Sequence, residues 1–130
     1  MDLNEYYGVD PRELSTLSLA YVGDAVFELM VRTELISRFN TTAGALHKKA
    51  KQIVNAKAQS DMYFRIEKYF DETEKAVFKR GRNAKSATVP KNADISDYRH
   101  ATGLETVFGY LYLTGNFERL RFFIREGLEI

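Results

Sequence analysis

The stretch Leu17–Val31, LSLAYVGDAVFELMV, decides how the rest of the chain is read. It carries two charged side chains, Asp24 and Glu28, and its apolar residues (Leu17, Leu19, Tyr21, Val22, Val26, Phe27, Leu29, Met30) fall on every side of a helical turn. A helix that is apolar all round is a buried helix. It is too interrupted to cross a membrane, which needs about 20 predominantly apolar residues. The expectation is a central helix running to about Arg38, with Asp24 at or near the middle of the domain. A buried carboxylate without a partner costs several kcal/mol. Either a cation meets Asp24, a divalent metal among the candidates, or the carboxylate pairs with an arginine or caps a neighbouring helix.

A second stretch, Ala101–Leu113 (ATGLETVFGYLYL), is nearly as apolar, and Glu105 is its only charge. Each of the two helices therefore has a stranded acid and a glycine: Gly23 precedes Asp24, and Gly109 follows Glu105 by one turn. Glycine lets helices approach closely. Two carboxylates brought together repel unless a cation joins them. Such a pair suits Mg²⁺, which keeps several waters and accepts few protein ligands.

The chain has 130 residues, 45% of them hydrophobic and 13% aromatic, which fits one domain spanning 1–130. So much apolar surface on so small a domain suggests burial against a second copy. Basic and acidic residues nearly balance, 19 against 18, so any affinity for nucleic acid must come from charge distribution rather than net charge. Cysteine is absent, which excludes disulfides and thiolate metal sites and fits a cytoplasmic location. The first ten residues, MDLNEYYGVD, do not resemble a signal peptide.

Every segment has helical rather than alternating periodicity, so the fold class is all-α, with about six helices. Asp10–Pro11 and Ser15 are candidate starts for the first, and Thr41 or Thr42 caps the second. The second helix, 42–58, is basic and amphipathic, and Lys48 and Lys49 are candidate phosphate contacts. His47 lies among lysines without a metal-ligand partner and reads as a surface group. The third, 59–70, carries an aromatic stripe (Tyr63, Phe64, Tyr69, Phe70) expected in the core or a dimer interface. Asp71 with Glu74 forms a capping-box pattern for the fourth, 72–80. Asp94 or Ser96 starts the fifth and Asn116 the sixth.

Between Lys75 and Arg99 lie seven cations and two anions, a local excess of five. Within this segment GRNAKSATVPKN reads as an exposed loop. Basic loops with Asn, Ser and Thr donors follow phosphate backbones.

These motifs carry a resemblance. AYVGDAVFEL is similar to the ribonuclease III signature, GLETVFGYLYL to that family's second acidic helix, and FKRGRNAKSATVPKNADISDYRHATGLE to the connecting segment of its short bacterial form. The resemblance covers about Leu14 to Phe122. It implies a single ribonuclease III-type catalytic domain, with no separate double-stranded-RNA-binding domain. It also implies a Mg²⁺-dependent, double-strand-specific endoribonuclease, with Mn²⁺ a possible substitute, acting as a homodimer. Such an enzyme leaves 5′-phosphate and 3′-hydroxyl ends, here in precursor large-subunit (23S) ribosomal RNA, with a ribosomal protein as a candidate helper and with no membrane partner.

Residue by residue, Asp24 and Glu105 match the family's catalytic and metal-binding acids. Arg80, Arg82, Asn83 and Lys85, together with Lys48 and Lys49, are the RNA-binding candidates. Two acidic positions of the full-length enzymes are Ala20 and Thr102 here, and Leu17 replaces a third. Thr102 and Glu28 remain as possible supports around the metal. The competing readings are a non-catalytic helical RNA-binding or ribosome-assembly module, and a helical protein adaptor with no RNA affinity.

Overall fold

The computed structural model describes residues 7–85 and 94–130. Among them there are six α-helices and no strands. The helices are α1 (Thr16–Arg38), α2 (Ala43–Ile53), α3 (Ala56–Ile66), α4 (Glu72–Asn83), α5 (Ile95–Leu113) and α6 (Phe117–Gly127). No described helix is long and apolar enough to cross a membrane.

Local capping chemistry sets most boundaries. Asp10 and Pro11 open only a 3-10 turn, Pro11–Glu13, and the chain becomes extended at Leu14. The long helix starts at the second candidate, where the Ser15 hydroxyl accepts from the Ser18 amide at 3.1 Å. Thr42 and Asp94 accept likewise from the amides of Ala45 and Asp97. Asp71 and Glu74 complete the capping box, each carboxylate accepting from the other residue's amide. At α6, Asn116 takes the cap position without a side-chain hydrogen bond. The turn before it is closed by the backbone: Asn116 N–H donates to Leu111 and Gly115 N–H to Tyr112, with Gly115 at φ 75°. That pair of bonds is a Schellman motif, which favours glycine at the left-handed position.

Two expected boundaries move. The helix expected over 42–58 stops at Ile53, and the one expected over 59–70 runs from Ala56 to Ile66. Asn55 makes the break: its side-chain oxygen accepts from the Ala58 amide at 2.9 Å, and its Nδ2 donates to the Lys51 carbonyl at 2.9 Å. One side chain thus closes α2 and opens α3. The helix expected to end at Arg80 continues to Asn83, so Gly81, Arg82 and Asn83 belong to α4 rather than to an exposed loop. Ala84 and Lys85 follow α4 outside any helix, and the rest of that loop, 86–92, lies outside the described residues.

The innermost helix is α5, not α1. It packs against α1, α4, α3 and α6, and buries Ala101, Leu104, Val107, Phe108, Leu111 and Leu113. Helix α1 contributes Leu19, Val26, Phe27, Val31 and Leu35 to the core, with Phe27 edge-on to Phe108 at 5.4 Å. Its opposite side is open: Tyr21 is 82% exposed, Leu29 66% and Ile36 67%. The expectation of a helix buried all round is corrected accordingly, and Asp24 is exposed rather than central. At the far end of the core, buried Glu74 pairs with Arg119 of α6 through bonds of 2.6 and 2.9 Å, and Arg119 also donates to the Tyr69 carbonyl.

Candidate active site

The contact between α1 and α5 places the two acids. A Cβ on Gly23 would stand 1.6 Å from the Glu105 carbonyl oxygen, and one on Gly109 would stand 2.0 Å from that of Leu19. The two backbones touch where any other residue would hold them apart. Asp24 follows Gly23 directly, so its side chain reaches Glu105 across the seam.

Glu105 is half-buried, and its pKa is pushed up to about 9. Burial is the largest cause; a hydrogen bond with Asp24 and repulsion from its charge add to it, and the Gln59 amide pulls the other way. At neutral pH Glu105 therefore keeps its proton. Among the described ion pairs none involves Asp24 or Glu105, so the alternative of an arginine partner for Asp24 has no support. Two facing carboxyl groups release any proton between them on taking up a divalent ion. Among the described residues no third His, Cys, Asp or Glu joins a metal-binding group. Two carboxylates with water completing the shell fit Mg²⁺, which needs only one or two.

The supporting candidates divide. Glu28 forms an ion pair with Arg32 one turn further on, at 2.6 Å. The Thr102 hydroxyl donates to the Tyr98 carbonyl at 3.0 Å. Ala20, one turn before Asp24, is buried.

The cationic candidates do not form one cluster. Lys48 is exposed on α2, and Lys49 lies over the Phe39 ring, 4.2 Å from its centre. Arg80, Asn83 and Lys85 are exposed, and Arg82 Nε donates to Asn83 Oδ1 at 3.2 Å. Arg82 also lines a cleft of about 420 Å³ with Lys68, Lys75 and Lys79, floored by Tyr63, Phe70 and Phe78. The floor is stacked: Tyr63 lies 3.9 Å from Phe78 with the rings 4° from parallel. Burial and the neighbouring Glu67 push the Tyr63 hydroxyl up to about 12, so it keeps its proton.

Sequence reasoning missed Lys68 and, closer to the acids, Gln59. Gln59 is only 5% exposed, on the same side of α3 as Met62 and Ile66. Its amide comes near enough to Glu105 to lower that pKa, but Nε2 makes no hydrogen bond of acceptable length and angle. An amide in phase with core positions was the available signal. Next to it, Ser60 Oγ and His100 Nδ1 hydrogen-bond at 3.0 Å, tying α3 to α5.

The ribonuclease III domain family matches residues 17–116, a span that opens at the start of α1 and closes after α5. With the paired acids on those two helices, the chain belongs to the ribonuclease III family and is an endoribonuclease. Within the family it is similar to Mini-ribonuclease 3 of Clostridium tetani, 53% identical over 117 residues, covering 89% of this chain and 78% of that protein. The Thermoanaerobacter Mini-ribonuclease 3 is 44% identical over 117 residues, covering 90% and 82%. A crystal structure of a Fusobacterium nucleatum protein shares the fold with a TM-score of 0.79 at 37% identity, covering 88% of this chain and 91% of that one.

Proposed function

We propose that the chain is a Mg²⁺-dependent endoribonuclease specific for double-stranded RNA, with Asp24 and Glu105 holding the metal and Mn²⁺ able to replace it. The supporting observation is the glycine-to-backbone contact that forces these two acids together. Bound there, the ion would activate a water and neutralise charge on the phosphoryl oxygens. Arg82 and Lys85, with Arg80, Asn83, Lys48 and Lys49 further along the surface, would contact the RNA backbone. Duplex RNA is recognised by shape, 2′-hydroxyls and phosphates.

The active form is a homodimer. Leu17, Tyr21, Leu29 and Ile36 recur at near-helical spacing on the open side of α1 and leave an apolar stripe exposed in the single chain. Asp24 lies beside that stripe, so pairing through it would bring two sites together for cuts on both strands, with 5′-phosphate and 3′-hydroxyl ends. Precursor 23S ribosomal RNA in the cytoplasm is the proposed substrate, on the strength of the likeness to Mini-ribonuclease 3 proteins.

The test is cleavage of a duplex RNA with Mg²⁺ by wild type, by Asp24→Asn and by wild type in EDTA, with binding followed in Ca²⁺. Cleavage by wild type with Mg²⁺ alone, and RNA binding retained by Asp24→Asn, is the expected result. Binding without cleavage in every sample would favour a non-catalytic RNA-binding module. Arg82→Ala with Lys85→Ala should weaken binding and reduce its salt dependence, each phosphate contact contributing about 0.9 to the log–log slope.

A further inference from the structure

The buried amide of Gln59 has no role in the reading above. A buried donor left unbonded costs about 1–3 kcal/mol, and a leucine or methionine of similar volume would fill the same space without that cost. Among the described residues, Gln59 Nε2 is the buried side-chain polar atom without a partner. Its position is not a surface accident. The Ser60–His100 hydrogen bond and the near-parallel rings of Tyr63 and His100 hold this turn of α3 against α5. Gln59, one residue before Ser60, enters that contact beside Glu105.

We infer that Gln59 is a positioning residue for the metal site: its side-chain N–H is the donor that orients the Glu105 carboxylate when that group binds a cation. This rests on the metal-dependent reading proposed above. A carboxylate that gives one oxygen to a metal needs donors for its remaining lone pairs, and such outer hydrogen bonds fix its orientation. Around Glu105 other sources are few. Thr102, one turn earlier, spends its hydroxyl proton on the Tyr98 carbonyl, and Ala20 has no polar group. In the structure the buried Gln59 Nε2 lies beside Glu105 without a hydrogen-bond partner. With a cation held on one Glu105 oxygen, the other oxygen would be its acceptor.

The test is Gln59→Met, which keeps the volume and removes the donor. Divalent affinity is read by titrating the free protein with Mn²⁺, followed by electron paramagnetic resonance, and by the Mg²⁺ concentration giving half-maximal cleavage of duplex RNA. We expect both to weaken by about 10- to 100-fold, the usual effect of losing such a hydrogen bond. RNA affinity in Ca²⁺ should not change, and the metal-free melting temperature should stay level or rise. Divalent affinity within twofold of wild type would overturn the inference. So would a fall in metal-free melting temperature that accounts for the loss, because that marks a packing role. A wild type that neither binds Mn²⁺ nor cleaves would overturn the proposed function along with it. Normal wild-type binding with an unaffected Gln59→Met would overturn this inference alone.

Discussion

Gly23→Ala adds one methyl group at the tightest point of the molecule. The new Cβ would stand 1.6 Å from the Glu105 carbonyl oxygen and 2.8 Å from the Gly109 nitrogen. Heavy atoms in favourable contact lie about 3.5 Å apart, so α1 and α5 must separate by roughly 2 Å. Backbone atoms on both helices leave no flexible side chain to give way. Overpacking in a well-packed core costs about 1–3 kcal/mol and more where the surroundings are rigid, so a loss of about 3 kcal/mol or more is expected. For a domain of this size that corresponds to a fall in melting temperature on the order of 10 °C. The same displacement pulls Asp24 from Glu105, and misplacement by about 1 Å can cost roughly 100-fold in rate. The control is Gly44→Ala in the first turn of α2, where a Cβ would meet only the Thr42 hydroxyl at 4.0 Å. That substitution should gain about 0.5 kcal/mol by restricting the unfolded chain and leave cleavage unchanged. Thermal melts by circular dichroism, with single-turnover cleavage well below the variant's melting point, read both effects. A Gly23→Ala protein that melts within a few degrees of wild type and cleaves normally would refute the claim that helix contact places the acids.

The raised pKa of Glu105 makes stability pH-dependent without metal. The folded protein keeps a proton that the unfolded chain has lost above its ordinary value of 4.5. This contribution is therefore fully present below 4.5 and lost as pH rises towards about 9. Denaturation in EDTA should show stability falling between these limits by at most about 1.4 kcal/mol per pH unit, with saturating Mg²⁺ flattening the slope; a rising or flat metal-free profile would contradict the pairing. Arg119→Met leaves Glu74, only 2% exposed, without its cation, and should cost about 3 kcal/mol in urea denaturation. Adding Glu74→Gln should recover part of that loss, and a double variant no better than the single would show that the ion pair is not the cause. Tyr21→Glu with Leu29→Glu places charges in the apolar stripe and should give a monomer by sedimentation, whereas a wild type that is already monomeric at micromolar concentration would refute the dimer.

The meeting of Asp24 and Glu105 was legible because composition exposes them. Asp24 and Glu105 stand out as isolated charges in apolar helices, and their glycines announced a close approach. The cationic surface was less legible, because lysines on α2 and α4 share a composition without sharing a place. Lys49 turns to Phe39, and Arg82 joins Lys68 across a cleft. Gln59 was missed because an amide in phase with core positions does not say what it meets until the helix packed against it is known.

What the sequence determined by itself is what depends on neighbours along the chain. The helical class follows from periodicity and the Asp71 start from its capping box, while for three other starts the sequence offered two candidates each, of which the fold uses Ser15, Thr42 and Asp94 to cap amides three residues away. The break at Asn55 was equally local but was hidden by a run of lysines that keeps helical phase through it. The tertiary structure alone decided which of two apolar helices lies innermost. Both have the composition of a core helix, but α5 is enclosed by four others while α1 has partners on one side only, leaving Tyr21 and Asp24 at the surface. It also decided that Gln59 faces Glu105, because burial and hydrogen bonding between distant segments depend on how helices pack, which is absent from the order of residues within any one of them.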